Sequence, residues 1–161
     1  PPEKLAARQS TAAAEEAIRL ELERLTIDKI APGEQQPEAE HDFEGVDTEA
    51  GVNLGRHWRH AAGWFGYTLR DPDGEARYLR IDYWGADAGR TFTIEMNGMV
   101  IAEVTSTGEH GAEFVSVDYP LDEAVLAAGE QGKHRLRFVA SEGSIAGGIY
   151  GVRLMRELPE K

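Results

Sequence analysis

The sequence contains no cysteine. Disulfide staples, thiolate zinc sites, iron–sulfur clusters and cysteine nucleophiles are therefore excluded. Positive charge is also scarce: 17 Lys+Arg stand against 29 Asp+Glu, a formal net charge of −12. Binding to phosphate backbones or to anionic membrane surfaces relies on basic surface, so nucleic acid and membrane are not expected partners. No apolar run approaches the ~18–20 residues that a membrane span needs. Neutral ligands, sugars among them, would not be repelled.

What is present fits one domain with an attached element, since domains commonly run to roughly 100–200 residues and this chain has 161. The stretch from Thr11 to Leu25 is rich in Ala, Glu, Leu and Arg, with no Gly or Pro. It predicts a helix with Ser10 or Thr11 as N-cap and an apolar stripe of Ala14, Ile18, Leu22 and Leu25. Such a stripe reads as a docking helix over residues 1–28. Residues 29–60, with Ala31-Pro32-Gly33-Glu34-Gln35-Gln36-Pro37-Glu38 and further glycines, read as a long irregular connector. From residue 61 to 156 the period becomes two, and seven short strands are expected between Trp64 and Met155. Asn97-Gly98 predicts a type I′ hairpin that sets Met96 opposite Met99 and Ile94 opposite Ile101. Residues 157–161 read as a tail. Pro1-Pro2-Glu3 and Leu158-Pro159-Glu160-Lys161 both look like cut linkers, so a piece of a longer protein is expected. The pattern predicts an all-β, jelly-roll β-sandwich preceded by one helix and a connector.

Catalytic motifs are weak. Gly143-Ser144-Ile145-Ala146-Gly147-Gly148 matches neither a P-loop nor a dinucleotide fingerprint. His57 and His60 could share a metal only on a helix. Asp82 and Glu95 could face each other across adjacent strands as a glycosidase pair does, but solvated outer faces explain them as well. Asp71, Asp73, Asp82 and Asp87 offer oxygen ligands for a structural calcium without forming a recognisable site. The aromatic and arginine clusters carry more information. Trp58, Trp84, Asp87 and Arg90, with His57, Arg59 and Ser144 as second choices, combine indole planes with charged hydrogen-bonding groups. A sugar ring offers an apolar C–H face and polar edges, and that set complements both. The alternatives are core packing for the tryptophans, Trp64 above all, and a structural Asp87–Arg90 ion pair.

These same residues carry a family likeness. The run from Trp58 to Tyr67 resembles a stretch of bacterial proteins related to the β-L-arabinofuranosidases of glycoside hydrolase family 127. Tyr83–Phe92, Gly143–Arg153 and the Pro32–Glu38 segment agree in the same order, with His60 and Gly66 standing where that family usually has Asp and Ser. The resemblance implies a C-terminal β-sandwich accessory domain, partnered by the catalytic barrel of its parent chain. It implies no catalytic residue here, because the family's nucleophile is a cysteine. The strand order also looks like that of galactose-binding-type jelly rolls, including carbohydrate-binding modules of families 6 and 35. The expectation is a non-catalytic, carbohydrate-binding accessory domain. The alternative is a purely structural module for interdomain or homo-oligomer contacts.

Overall fold

The computed structural model describes the backbone of residues 2–160 and the side chains of residues 11–160. Helix α1 (Pro2–Leu25) leads into β1 (Thr26–Ile30), α2 (Gln35–Glu40), β2 (Glu44–Asn53) and the long β3 (Arg56–Arg70). There follow β4 (Tyr78–Trp84), β5 (Ala88–Met96), β6 (Met99–Thr107), β7 (Phe114–Pro120), α3 (Glu123–Ala127), β8 (Lys133–Ala140) and β9 (Ala146–Met155). The strands hydrogen-bond in the order β6-β5-β8-β3-β9-β4-β7, with β1 beside β9 and β2 beside β3.

Strand β3 joins the two layers. Its C-terminal half, from Trp64 to Arg70, pairs with β8, while Arg59, His60 and Ala61 pair with β9. One layer is thus β6-β5-β8-β3 and the other β3-β9-β4-β7, a nearly closed jelly-roll-like sandwich. Period-two alternation turns Leu79 and Ile81 of β4, Phe92, Ile94 and Met96 of β5, and Leu136 and Phe138 of β8 inward, all at most 1% exposed. Phe65, Tyr67 and Leu69 of β3 complete the middle of the core.

The strands expected between Trp64 and Met155 are present to within about three residues, except that β3 begins at Arg56 and not at Trp64, and three further features differ. Residues 29–60 are not irregular: the end of β1, all of α2 and β2 and the start of β3 lie there. Strand β2 is an edge strand with mostly exposed residues, so it has no buried face to leave an apolar period in the sequence. Helix α1 starts at Pro2, which puts Ser10 and Thr11 inside it and not at its cap. The Asn97-Gly98 turn has both φ values positive (54° and 80°) and pairs Met96 with Met99 as expected. A register shift between Ile94 and Glu95 then sets Ile94 opposite Ala102 instead of Ile101.

A buried ion pair ties the N-terminal segment to the sandwich. The Arg59 guanidinium donates from Nε and Nη2 to both carboxylate oxygens of Glu38 on α2, at 2.6 and 2.8 Å. The Tyr67 hydroxyl donates to the same carboxylate at 2.6 Å. Burial raises the Glu38 carboxyl, but these bonds and the Gly33 N–H outweigh it, and the group lies below the ordinary glutamate range. Helix α1, by contrast, is exposed from Thr11 to Leu20, with Ile18 at 69% and Leu20 at 54%, and among its described side chains only that of the last residue, Leu25, is buried.

Candidate functional site

The outer face of the β3-β9-β4-β7 layer collects most of the candidate residues. In β3 the pleat places Arg56, Trp58 and His60 on that face. In β4 it places Asp82 and Trp84 there, since Leu79, Ile81 and Tyr83 point inward. Phe114 and Ser116 of β7 stand opposite Trp84 and Asp82. Strand β9 contributes Tyr150 through a register shift: Asp82 faces Gly151 and Tyr83 faces Ile149, which leaves Tyr150 as the extra residue.

The rings form a continuous strip. Trp84 meets Phe114 edge-on with centroids 4.9 Å apart, and Phe114 meets Tyr150 the same way at 5.0 Å. The Arg56 guanidinium lies over the Phe114 ring, 4.6 Å from its centroid, and donates to Asp82 Oδ2 at 3.0 Å. The second Asp82 oxygen accepts from the Ser116 hydroxyl at 2.6 Å. Asn53 of β2 donates to the Tyr150 hydroxyl at 3.3 Å. Beyond Tyr150 the floor is Gly148, where an added Cβ would lie 3.6 Å from the Tyr150 ring and 3.7 Å from both Arg90 Nη1 and Trp58 Cβ. The strip therefore runs from Trp84 to Trp58 with Arg90 at its side. Trp58 stacks over Gly51 of β2, where any Cβ would collide with the indole, and its ring centroid lies 4.8 Å from that of His60.

The β4–β5 turn supplies the charged rim. Arg90 Nη1 donates to Asp87 Oδ2 at 3.3 Å, and both side chains remain partly exposed. Burial pushes the Asp87 carboxyl above its usual range, against the pull of Arg90 and of the Gly148 N–H. Burial also lowers His60, helped by the Arg90 charge and opposed by Glu49, so this imidazole is neutral near pH 7 and keeps one acceptor nitrogen. The strip thus offers aromatic faces, a guanidinium–carboxylate pair and neutral acceptors on one surface.

Of the residues singled out in the sequence, Trp58, Trp84, Asp87 and Arg90 fall on this strip, and both indoles are half-buried. His57 and Arg59 do not. The pleat turns them to the reverse side of β3, where His57 is exposed and Arg59 is committed to Glu38. The same alternation puts His57 and His60 on opposite faces, which removes them as a shared metal site. Ser144 accepts the Thr91 N–H at 2.8 Å, next to Arg90 in sequence but holding the β8–β9 loop to β5. Trp64 is half-buried with the Arg137 guanidinium 3.9 Å from its ring centre, so it is not a core residue. Asp82 and Glu95 lie in different layers and form no pair. Asp71 accepts the Glu75 and Ala76 N–H groups and shapes a turn, while Asp82 and Asp87 are engaged by arginines, so the four aspartates do not converge. Among the described residues no group of three His, Asp or Glu side chains could hold a metal ion. Sequence reasoning missed Arg56, Phe114 and Tyr150, and it offered Asp82 for a carboxylate pair or a calcium ion but not for this strip. The glycines on both sides of Ile149-Tyr150 were the available signal for an irregular strand that turns a ring outward.

Solved structures share the fold at low identity. A family 35 carbohydrate binding module from Clostridium thermocellum aligns with TM-score 0.51 and 14% identity, over 78% of this chain and 95% of that one. The Podospora anserina GH26-CBM35 β-(1,4)-mannanase aligns with TM-score 0.53 and 12% identity, over 83% of this chain and 28% of that one. The ANX1 ectodomain from Arabidopsis thaliana aligns with TM-score 0.55 and 12% identity, over 79% of this chain and 40% of that one. At such identity the likeness concerns the fold alone. No curated protein matches the chain in sequence. The model of one protein family does match, over residues 21–155, which takes in every strand of the sandwich: the chain belongs to the family of unknown function DUF6805.

Proposed function

We propose that this domain is a non-catalytic carbohydrate-binding module that uses the strip from Trp84 to Trp58. The observation that carries the reading is the placement of two half-buried indoles and Tyr150 on one face with the Asp87–Arg90 pair beside them. The rings receive the C–H face of a sugar, and the carboxylate and guanidinium take its vicinal hydroxyls. The fold likeness to family 35 modules supports this reading, and so does an acidic surface that leaves neutral glycans unopposed. Binding through so few contacts is expected in the ~μM–mM range. The sequence resemblance to proteins related to glycoside hydrolase family 127 supports a place beside a catalytic barrel, with no catalytic group supplied by this domain. Titration with arabinose-, galactose- and uronate-containing oligosaccharides, followed by tryptophan fluorescence, tests it. A saturable change that Trp58→Ala and Trp84→Ala remove and Trp64→Ala keeps is expected; no change with any glycan refutes it.

A second reading, a structural module that docks on a neighbouring domain or subunit, is favoured by helix α1. Its Ile18 and Leu20 are 69% and 54% exposed. The two readings concern different surfaces and are compatible.

A further inference from the structure

The sandwich is closed along one side by β3 and open along the other, where β6 and β7 end the hydrogen-bonded order of the two layers. Inward-facing side chains of four strands converge on that opening: Tyr83 of β4, Phe92 of β5, Val104 of β6, and Val115, Val117 and Tyr119 of β7. They leave a cleft of ≈ 200 Å³ that no side chain fills, and Val117 at its mouth is 37% exposed. The void is a slot between two β layers with rings on its walls; Tyr83 and Phe92 centroids are 6.5 Å apart. Apolar cavities of about 150 Å³ accept a benzene-sized ring, so this one has room for a ring with a small substituent. The Tyr83 and Tyr119 hydroxyls share one hydrogen bond of 2.7 Å. That bond uses one of their two hydrogens, and the other has no acceptor among the described residues. A ligand oxygen would complete it.

We propose that this seam is a binding site for a planar aromatic group that carries an oxygen, of the phenol class. The aromatic walls favour a flat ring by offset or edge contacts, and the spare hydroxyl hydrogen fixes the ring's oxygen. Trp84 and Asp87 line both the mouth of the seam and the outer strip, so the ring could arrive free or attached to a sugar. The proposal stands without the sugar-binding reading, and the two fail in separate measurements.

The test uses 4-fluorophenol and cyclohexanol, which share a hydroxyl and a similar size but differ in planarity, titrated into the full chain and followed by ¹⁹F and methyl NMR. Expected are saturable shifts at the Val104, Val115 and Val117 methyls, tighter binding of the phenol than of cyclohexanol, and intermolecular NOEs to Phe92. Val117→Phe fills the mouth from an edge strand and should weaken phenol about tenfold or more, while Tyr119→Phe, which removes the oxygen anchor, should weaken it several-fold. The NOEs on the unaltered protein give a readout even where a variant fails to fold. Phenyl and methyl glycosides of one sugar then separate the sources: a phenyl glycoside tighter than phenol supports a ring carried on a glycan, and phenol alone binding supports a free phenolic. Absence of saturation, equal affinity for cyclohexanol, or affinity unchanged in both variants would overturn the proposal.

Discussion

Replacing Glu38 by Gln should be among the most damaging single changes in this domain that leave side-chain shape intact. The Glu38 and Arg59 side chains are 6% and 13% exposed, and the carboxylate takes both guanidinium bonds and the Tyr67 hydroxyl. An amide keeps one acceptor and turns an N–H₂ toward a cation. Arg59 would then lose its carboxylate counter-charge, keeping one bond to the amide oxygen, its 3.0 Å bond to Thr48 and the Phe43 ring, 4.2 Å from its guanidinium carbon. Breaking a buried pair on one side costs about 3–5 kcal/mol. For a protein of this size each kcal/mol moves Tm by roughly 2–4 °C, so a fall of roughly 6–20 °C is expected near pH 7. The pH dependence gives a second check. Because the native Glu38 carboxyl lies below its unfolded value, the unfolded chain binds more protons as pH falls past the ordinary glutamate range of about 4.3. The stabilisation is full above that value and is lost as pH drops through the native one, so wild type and E38Q should converge in acid. Replacing both partners by apolar residues of similar volume should recover most of the loss. Circular dichroism melts from pH 7 to pH 3 decide the matter. A change below about 1 kcal/mol, or a gap independent of pH, would refute the assignment of this pair as the clamp on α2.

Gly51→Ala pushes a Cβ into the Trp58 indole and should shift tryptophan emission and weaken glycan binding while leaving the melt within a few degrees; unchanged emission would count against the stacked position. Since burial holds the Asp87 carboxyl above the usual aspartate value of about 3.9, its pair with Arg90 is lost at a higher pH than an exposed pair would be. Affinity for a neutral glycan, measured by calorimetry, should therefore fall on acidification before an ordinary aspartate would protonate, and Asp87→Asn should flatten the profile. Leu25→Ala, at a position 1% exposed, should cost about 2–5 kcal/mol by denaturant unfolding, whereas Ile18→Ala, 69% exposed, should stay within about 0.5 kcal/mol.

The strands of the sandwich were legible because each buries one face, and burial writes a period of two into the sequence. Asn97-Gly98 located its hairpin because both positions need positive φ, but nothing local announced the shift that moves Ile94 from Ile101 to Ala102. Strand β2 escaped because its partners lie on one side only and water covers most of its residues. Helix α2 escaped because Gln35-Gln36-Pro37-Glu38-Ala39-Glu40 is polar and short, and what holds it is Arg59, twenty-one positions downstream of Glu38. Half of the strip could be read as chemistry: Trp58, Trp84, Asp87 and Arg90 are the residue types a sugar would need. The other half could not, since Arg56, Phe114 and Tyr150 become neighbours only through pairings that span 26 to 94 residues. Arg59 looked equivalent to Arg56, and strand parity alone separates a surface cation from a buried one.

Strand β9 is hydrogen-bonded to β1, β3 and β4, with Thr26 paired to Met155. During synthesis the β3-β9-β4-β7 layer cannot be completed until β9 has been made, so the nascent chain waits with β3, β4 and β1 all lacking a partner edge. Folding of this topology is governed by late, long-range closure, which makes it slow and exposes apolar strands to other chains in the interval. A ribosome-bound chain halted before Ala146 should therefore remain protease-sensitive in β1, β4 and β7, whereas one that has released Met155 should become resistant there.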